Sequence, residues 1–169
     1  MTNQDIEAIL DEMVEKLKAR FSENKDNEPL MIGIHTGGVW VAEALHKKMG
    51  LSSALGKLNI SFYRDDFTRI GMHPQVSPSQ IPASVEDKHI ILVDDVLYTG
   101  RTIRAAINEI FDYGRPASIT LVTLVERDGR ELPIQADVVG LHMPLKPHQQ
   151  VKLTGPEPLA LCVVEEGQE

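Results

Sequence analysis

Two adjacent carboxylates, Asp94 and Asp95, follow the apolar run Ile90-Ile91-Leu92-Val93 and precede the turn Thr99-Gly100-Arg101-Thr102, after which a helical period begins. In that turn, Thr99 to Thr102 present successive backbone N–H groups and two hydroxyls to one phosphate, and the dipole of the following helix favours its negative charge. Gly100 lets the backbone come close to the anion. The carboxylates repel a phosphate, so their partner is something else: a polyhydroxylated group, or a metal ion beside it. A sugar phosphate meets both demands.

These residues need a scaffold that delivers them to one place. The segment "TNQDIEAILDEMVEKLKARF" begins with Thr2 as N-cap and Asp5 three residues on, then spaces Ile6, Ile9, Leu10, Met13, Leu17 and Phe21 as an amphipathic helix. Leu30 to Ile34 is a short apolar run suited to a buried strand, and a helix restarts through Val39, Ala42, Leu45 and Met49, with Gly50 as its stop. Leu58, Ile60 and Phe62 alternate with polar residues as in a half-buried strand. The nearly all-apolar "HIILV" reads as the central strand of a parallel sheet. The helix from Thr102 to about Tyr113 ends at Gly114, and "SITLVTLV" is a further strand. Strand and helix alternate, so the expected fold is α/β with a mostly parallel sheet flanked by helices. Ligands of such sheets sit at the carboxyl ends of the strands, where Asp94 and Asp95 enter the loop that starts a helix.

A single domain spanning residues 1–169 is expected, with 42% hydrophobic residues to fill its core. Two stretches stand apart. Residues from about 64 to 86 carry three prolines and little periodicity, longer than a passive connection needs, and read as a lid over the motif strand; a solvated hairpin is the alternative. From about 126 to 164 the short strands "ADVVGL", "QQVKL" and "LALCVV" read as a small C-terminal cap. The one cysteine, Cys162, reads as a buried strand position. Six histidines without HExxH spacing argue against a protein-caged metal, so a metal taking part arrives with the substrate. No segment approaches the roughly 20 apolar residues of a membrane span, and a cytoplasmic protein is expected. A formal charge of -8 disfavours nonspecific nucleic-acid binding but leaves room for a local basic face.

A phospho-receiver site would carry its acid pair near the chain start, and a Walker A site needs GxxxxGK[ST], which is absent. A capped turn of purely structural role stays open.

At these residues the chain resembles the type I phosphoribosyltransferases, whose signature is four apolar residues, two acidic ones and a Thr-Gly-x-Thr turn that binds 5-phosphoribosyl 1-diphosphate (PRPP). With "ISFYRDD" and "GRPASITLVTLVERDGRELPIQADVVG", it resembles the PyrR family, uracil phosphoribosyltransferases that also regulate pyrimidine operons. The resemblance runs from about Met31 to Gly140 and implies the type I phosphoribosyltransferase fold. It implies that Asp94 and Asp95 hold the ribose hydroxyls as catalytic residues, that Val96, Leu97, Tyr98, Thr99, Gly100, Arg101 and Thr102 wrap the 5'-phosphate, and that Thr36, Gly37 and Gly38 meet the pyrophosphate. Arg64 at the start of the lid is a further pyrophosphate contact, unless it is a plain surface arginine. Arg127 matches a substrate-contacting arginine, and Val151 offers backbone groups to the uracil edge. The implied cofactor is Mg2+ carried by PRPP near Asp94 and Asp95. The implied partners are PRPP, uracil or UMP, an mRNA leader and other copies of the chain in a homo-oligomer. An RNA-binding regulator with weak activity, or a transferase for another nucleobase, are the alternatives. The family often has Thr-Arg-Gly where this chain has Thr36-Gly37-Gly38, and Lys-Asn-Ile-Pro-Thr-Ser where it reads "LHMPLK" after Gly140. Tyr98 stands where purine-salvage relatives often carry an aspartate, which points away from a purine.

Overall fold

Helical spacing and a capping box set the first element, α1 (Asn3–Phe21), in a computed structural model that describes residues 2–22, 27–60 and 79–167. Asp5 N donates to Thr2 Oγ1 at 3.4 Å and Thr2 N donates to Asp5 Oδ2 at 3.0 Å. Hydrogen bonds from Thr2 hold the Asp5 carboxyl below its usual range. Ile6, Leu10, Met13 and Leu17 are all buried.

The elements that follow are β1 (Leu30–Ile34), α2 (Gly37–Met49), β2 (Gly56–Leu58), β3 (His89–Leu97), α3 (Arg101–Tyr113), β4 (Ser118–Glu126), β5 (Val138–His142), β6 (Gln149–Thr154) and β7 (Ala160–Glu165). Five strands form a sheet in the order β2-β1-β3-β4-β5, every neighbouring pair parallel, and β6 and β7 form an antiparallel pair of their own. β3 is central, with Leu30 opposite Ile90 on one side and Val93 opposite Val122 on the other. The sheet is covered on both faces, as its apolar strands require. Met31, Ile91 and Val93 pack with α1, α2 and the β6–β7 pair, while Leu30, Ile32, Ile90 and Leu92 pack with Ile103, Ala106 and Ile110 of α3. The chain winds outward from β1 to β2 and then returns to β3 on the other side. The carboxyl ends of β1 and β3 therefore flank the point where strand order reverses, the crevice in which open α/β sheets bind ligands.

Four expectations change. The strand around Leu58 is only Gly56–Leu58: Asn59 N instead donates to Ser79 Oγ at 2.9 Å, and Ile60 is buried beyond the strand's end, with Phe62 outside the described residues. The first of the three strands expected in the cap, β5, joins the main sheet beside β4, leaving β6 and β7 as the separate pair. Cys162 lies in a strand as expected but is exposed, not buried: a two-stranded sheet has one covered face, which takes Leu153 and Leu161, so the Lys152–Cys162 pair faces solvent. Lastly, Asp94 and Asp95 lie within β3 and not in the loop beyond it.

Residues 64–78 of the expected lid, including Arg64, lie outside the described residues. The part that is described, 79–86, is anchored: Lys57 N donates to Gln80 O at 2.8 Å, Gln80 N donates to Lys57 O at 2.7 Å, and Val85 is buried.

Candidate active site

Two helices begin at the crevice; neither is capped by the side chain of its N-cap residue, and in the second Thr99 Oγ1 accepts from Arg101 N at 3.2 Å. α2 starts after Thr36 and α3 after Gly100; neither N-cap makes a side-chain hydrogen bond and neither first turn holds an acidic residue. α1, remote from the crevice, has a complete capping box. Val39 N and Arg101 N are engaged by Thr36 O and Thr99 Oγ1, both at 3.2 Å, and the helix dipoles favour anions at the first-turn N–H groups that remain.

The acid pair sits between those two helix ends. Asp94 is buried and Asp95 half-buried. Asp95 N donates to Asp94 Oδ1 at 2.9 Å, and Val96 N donates to Asp95 Oδ1 at 2.8 Å, so each carboxylate is fixed by the next backbone amide. From beneath, Thr123 Oγ1 donates to Val125 O at 2.9 Å and approaches Asp95 O at 3.3 Å.

The glycines of the β1–α2 loop touch this pair. A β-carbon on Gly37 would lie 2.7 Å from Asp95 Cγ and overlap Asp95 Oδ2; one on Gly38 would lie 2.8 Å from Val93 O and 3.0 Å from Asp94 Cα. Absence of side chains is what lets the start of α2 rest on the carboxylates. In this geometry a side chain at position 37, where the resemblance leads one to expect an arginine, would meet the Asp95 carboxylate. The loop is held at its base by His35 N donating to Leu58 O at 2.8 Å, and the His35–Thr36 peptide bond is cis.

In the loop after β3, Gly100 has φ +94, which an L side chain rarely adopts, and its Cα faces Ile134 and Leu132. Val96 and Leu97 belong to β3; Val96 N is engaged by Asp95 and Leu97 is buried in the core. Tyr98 to Thr102 are the residues of this stretch that form the loop and the start of α3.

Arg127 is buried and is engaged by the chain itself. Its Nη1 donates to Gln149 O at 2.7 Å, its Nη2 reaches Lys146 O at 3.4 Å, and its guanidinium lies 4.1 Å from the centre of the Tyr98 ring. It thereby ties the beginning of β6 to the end of β3. Val151, two residues beyond Gln149, sits in β6 with its side chain in the core. Sequence reasoning misses Thr123, Arg130, Glu131 and Leu132, which contact the acid pair or the loop between β3 and α3. The "ERDGRELP" stretch carrying the last three reads as a turn, because a backing role leaves no mark in periodicity.

Among the described residues no three His, Cys, Asp or Glu side chains are grouped to hold a metal ion. The two carboxylates alone suit a cation that brings most of its oxygen ligands with it. No helix among the described residues is long and apolar enough to cross a membrane.

Residues 3–156 match the model of the phosphoribosyl transferase domain family. The chain is 66% identical over 161 residues to the Bifunctional protein PyrR of Nitrosococcus oceani, covering 94% of this chain and 91% of that protein. It is 57% identical over 153 residues to the protein of the same name from Pseudomonas putida, covering 90% and 89%. Among solved structures it resembles a hypoxanthine-guanine phosphoribosyltransferase from Bacillus anthracis (TM-score 0.69, 17% identity, 85% of this chain and 82% of that one). It also resembles a purine phosphoribosyltransferase from Pyrococcus horikoshii (TM-score 0.65, 22% identity, 85% of each). These structural likenesses carry the type I phosphoribosyltransferase fold, and the two close relatives carry the rest: this chain belongs to the phosphoribosyl transferase domain family and, within it, to the PyrR proteins.

Proposed function

We infer that this chain is a bifunctional PyrR protein: a uracil phosphoribosyltransferase that converts uracil and PRPP to UMP and pyrophosphate, and a UMP-responsive regulator that binds the mRNA of pyrimidine operons. The observation that carries the enzymatic half is the start of α2, at Gly37 and Gly38, resting on a fixed acid pair at the β1/β3 crevice, with the glycine turn that opens α3 following the same strand. Asp94 and Asp95 bind the ribose hydroxyls and set negative charge beside the anomeric carbon, where positive charge develops as the bond to pyrophosphate breaks. Backbone amides of Thr36, Gly37 and Gly38 hold the pyrophosphate, and Tyr98 to Thr102 hold the 5'-phosphate. Arg64 adds a cation on the pyrophosphate side. On the base side, Arg127 fixes the start of β6 and the Tyr98 ring, and Val151 supplies backbone groups to the uracil edge. Mg2+ accompanying PRPP supplies charge neutralisation at the leaving group. Residues 64–78 serve as the lid that excludes water, and the protein works as a homo-oligomer in the cytoplasm.

The test is incubation with PRPP, Mg2+ and a panel of uracil, hypoxanthine and guanine. UMP is the expected product, with turnover abolished by excess EDTA; a dominant purine nucleotide overturns the base assignment, and full activity in EDTA overturns the role of the metal.

A further inference from the structure

Arg130 stands outside every role assigned above, yet it grips the phosphate loop from behind. Its Nη1 donates to Tyr98 O, and its Nη2 donates to Glu126 Oε1 at 2.9 Å, at the end of β4 where Glu126 is in register with Leu97. Its neighbours act alongside it. Arg127 N donates to Leu97 O at 3.1 Å, while Glu131 N and Leu132 N donate to Thr99 O at 2.9 and 3.2 Å. The Glu131 carboxylate draws the Arg101 side chain the same way, Nε to Oε1 at 3.1 Å. Three consecutive loop carbonyls, those of Leu97, Tyr98 and Thr99, are thus bound by residues 127–132, and the fourth, Gly100 O, accepts from Arg104 N at 3.0 Å within α3.

This arrangement dictates where the loop amides point. A trans peptide holds C=O of one residue and N–H of the next antiparallel. Turning Tyr98 O and Thr99 O toward residues 130–132 therefore turns the N–H groups of Thr99 and Gly100 to the opposite side. Of these carbonyls, Tyr98 O is the one bound by a side chain, and a charged one, whose fork also reaches Glu126.

We propose that Arg130 is a positioning residue for 5'-phosphate recognition: by binding Tyr98 O from behind, braced on Glu126, it fixes the Thr99 and Gly100 amides toward the anion without touching it. The proposal rests on the reading of residues 98–102 as the 5'-phosphate loop.

Its signature is selective. Arg130→Met raises KM for PRPP about tenfold, equivalent to about 1.4 kcal/mol, with kcat within about twofold, because the 5'-phosphate keeps its contacts throughout the reaction. Competitive inhibition by ribose 5-phosphate weakens by the same factor, inhibition by pyrophosphate does not change, and Arg130→Lys recovers most of the deficit. Should Arg130→Met fail to fold, Glu126→Gln, which takes the charge from the brace and from the Glu126–His142 contact while Arg130 stays in place, gives the same pattern at smaller size. Thr102→Val separates the two levels of the claim. If it weakens ribose 5-phosphate while the variants at Arg130 and Glu126 leave that inhibition intact, or weaken pyrophosphate equally, the positioning role is overturned. If none of the three variants affects ribose 5-phosphate, the assignment of the loop itself falls.

Discussion

At the scale of single residues, the two aspartates are not equivalent. Asp94 is buried in β3, whereas Asp95 is half-buried and has its outer oxygen against Gly37. Asp95→Asn therefore lowers kcat/KM with little change in melting temperature. The expected decrease is roughly 1.5 to 3 kcal/mol, the size of one charge-assisted hydrogen bond to the sugar in the transition state. Asp94→Asn lowers activity and stability together, since it alters a buried group. Steady-state kinetics beside thermal melts checks both; wild-type turnover in Asp95→Asn would make the pair structural. Gly37 gives a second prediction. A methyl group there displaces the Asp95 carboxylate, so Gly37→Ala lowers kcat/KM, and combining it with Asp95→Asn adds much less than the sum of the two, with a coupling of about 0.5 to 3 kcal/mol. Strict additivity would show that the glycine acts elsewhere.

At the scale of elements, the site is assembled by what the helices lack and by what the last strands hold. α2 starts through Gly37 and Gly38 against the acid pair and α3 starts from Gly100, whereas α1 starts with the capping box of Thr2 and Asp5. The tie between β6 and β3 is different in kind: it depends on one buried arginine spanning Gln149, Lys146 and the Tyr98 ring. Arg127→Met leaves those carbonyls without their donor and removes the stacking cation, which destabilises the protein by about 1 to 3 kcal/mol. Uracil affinity falls with it while pyrophosphate affinity stays, as the β1–α2 loop is untouched. Denaturant melts and inhibition by each ligand check this; a uniform weakening of both ligands would contradict the assignment of Arg127 to the base side.

At the scale of the whole molecule, charge sets two behaviours. Burial holds the His35 imidazole below its ordinary pKa of 6.5, Lys57 pushes the same way, and Glu43 opposes. The unfolded chain then binds more protons than the folded one between the lowered value and 6.5, so this contribution to stability is present above 6.5 and is lost as pH falls through the folded value. Glu28 and Asp5, both held below their ordinary values of 4.5 and 3.8, act only in more acid solution. Melting temperature therefore declines as pH falls below the ordinary value of 6.5, and His35→Gln flattens that decline; an unchanged slope would assign it to other groups. The second behaviour is RNA binding against a net charge of -8. Among the cations that a local basic face could draw on, Lys48 is bound to Glu7 and Asp11 at 2.7 and 2.9 Å, Arg101 is bound to Glu131, and Arg69 lies outside the described residues. Lys47, Arg104, Lys146 and Lys152 have no ion pair among the described residues and are exposed. With about four phosphates neutralised, the logarithm of affinity for a pyrimidine-operon leader falls with the logarithm of salt at a slope of about -3 to -4. UMP strengthens that binding by linkage. Equal affinity for leader and scrambled RNA in a filter-binding titration would leave the enzymatic function alone.

Much of this protein is legible in the order of its residues. Apolar runs and period-3.6 apolar spacing marked most of the strands and helices, because burying apolar surface is a local requirement that each segment meets in its own pattern, whereas the period-two reading around Leu58 overran the strand. The acid pair and the glycine turn carry the proposal of phosphate and sugar chemistry, because both lie in one continuous run and need no distant partner to be read. Tertiary structure decided what depends on the meeting of distant segments. It placed Asp94 and Asp95 within β3, moved β5 into the main sheet, and turned Cys162 to solvent where its flanks suggested burial. It also set Gly37 against Asp95, Arg127 against Tyr98 and Arg130 behind the phosphate loop. Those pairings join residues some thirty to sixty positions apart: Gly37 meets Asp95 because the sheet places β3 beside β1, and Arg127 and Arg130 meet Tyr98 because β4 lies beside β3. Periodicity reports whether a residue faces a core; only the folded sheet decides which residue it meets there.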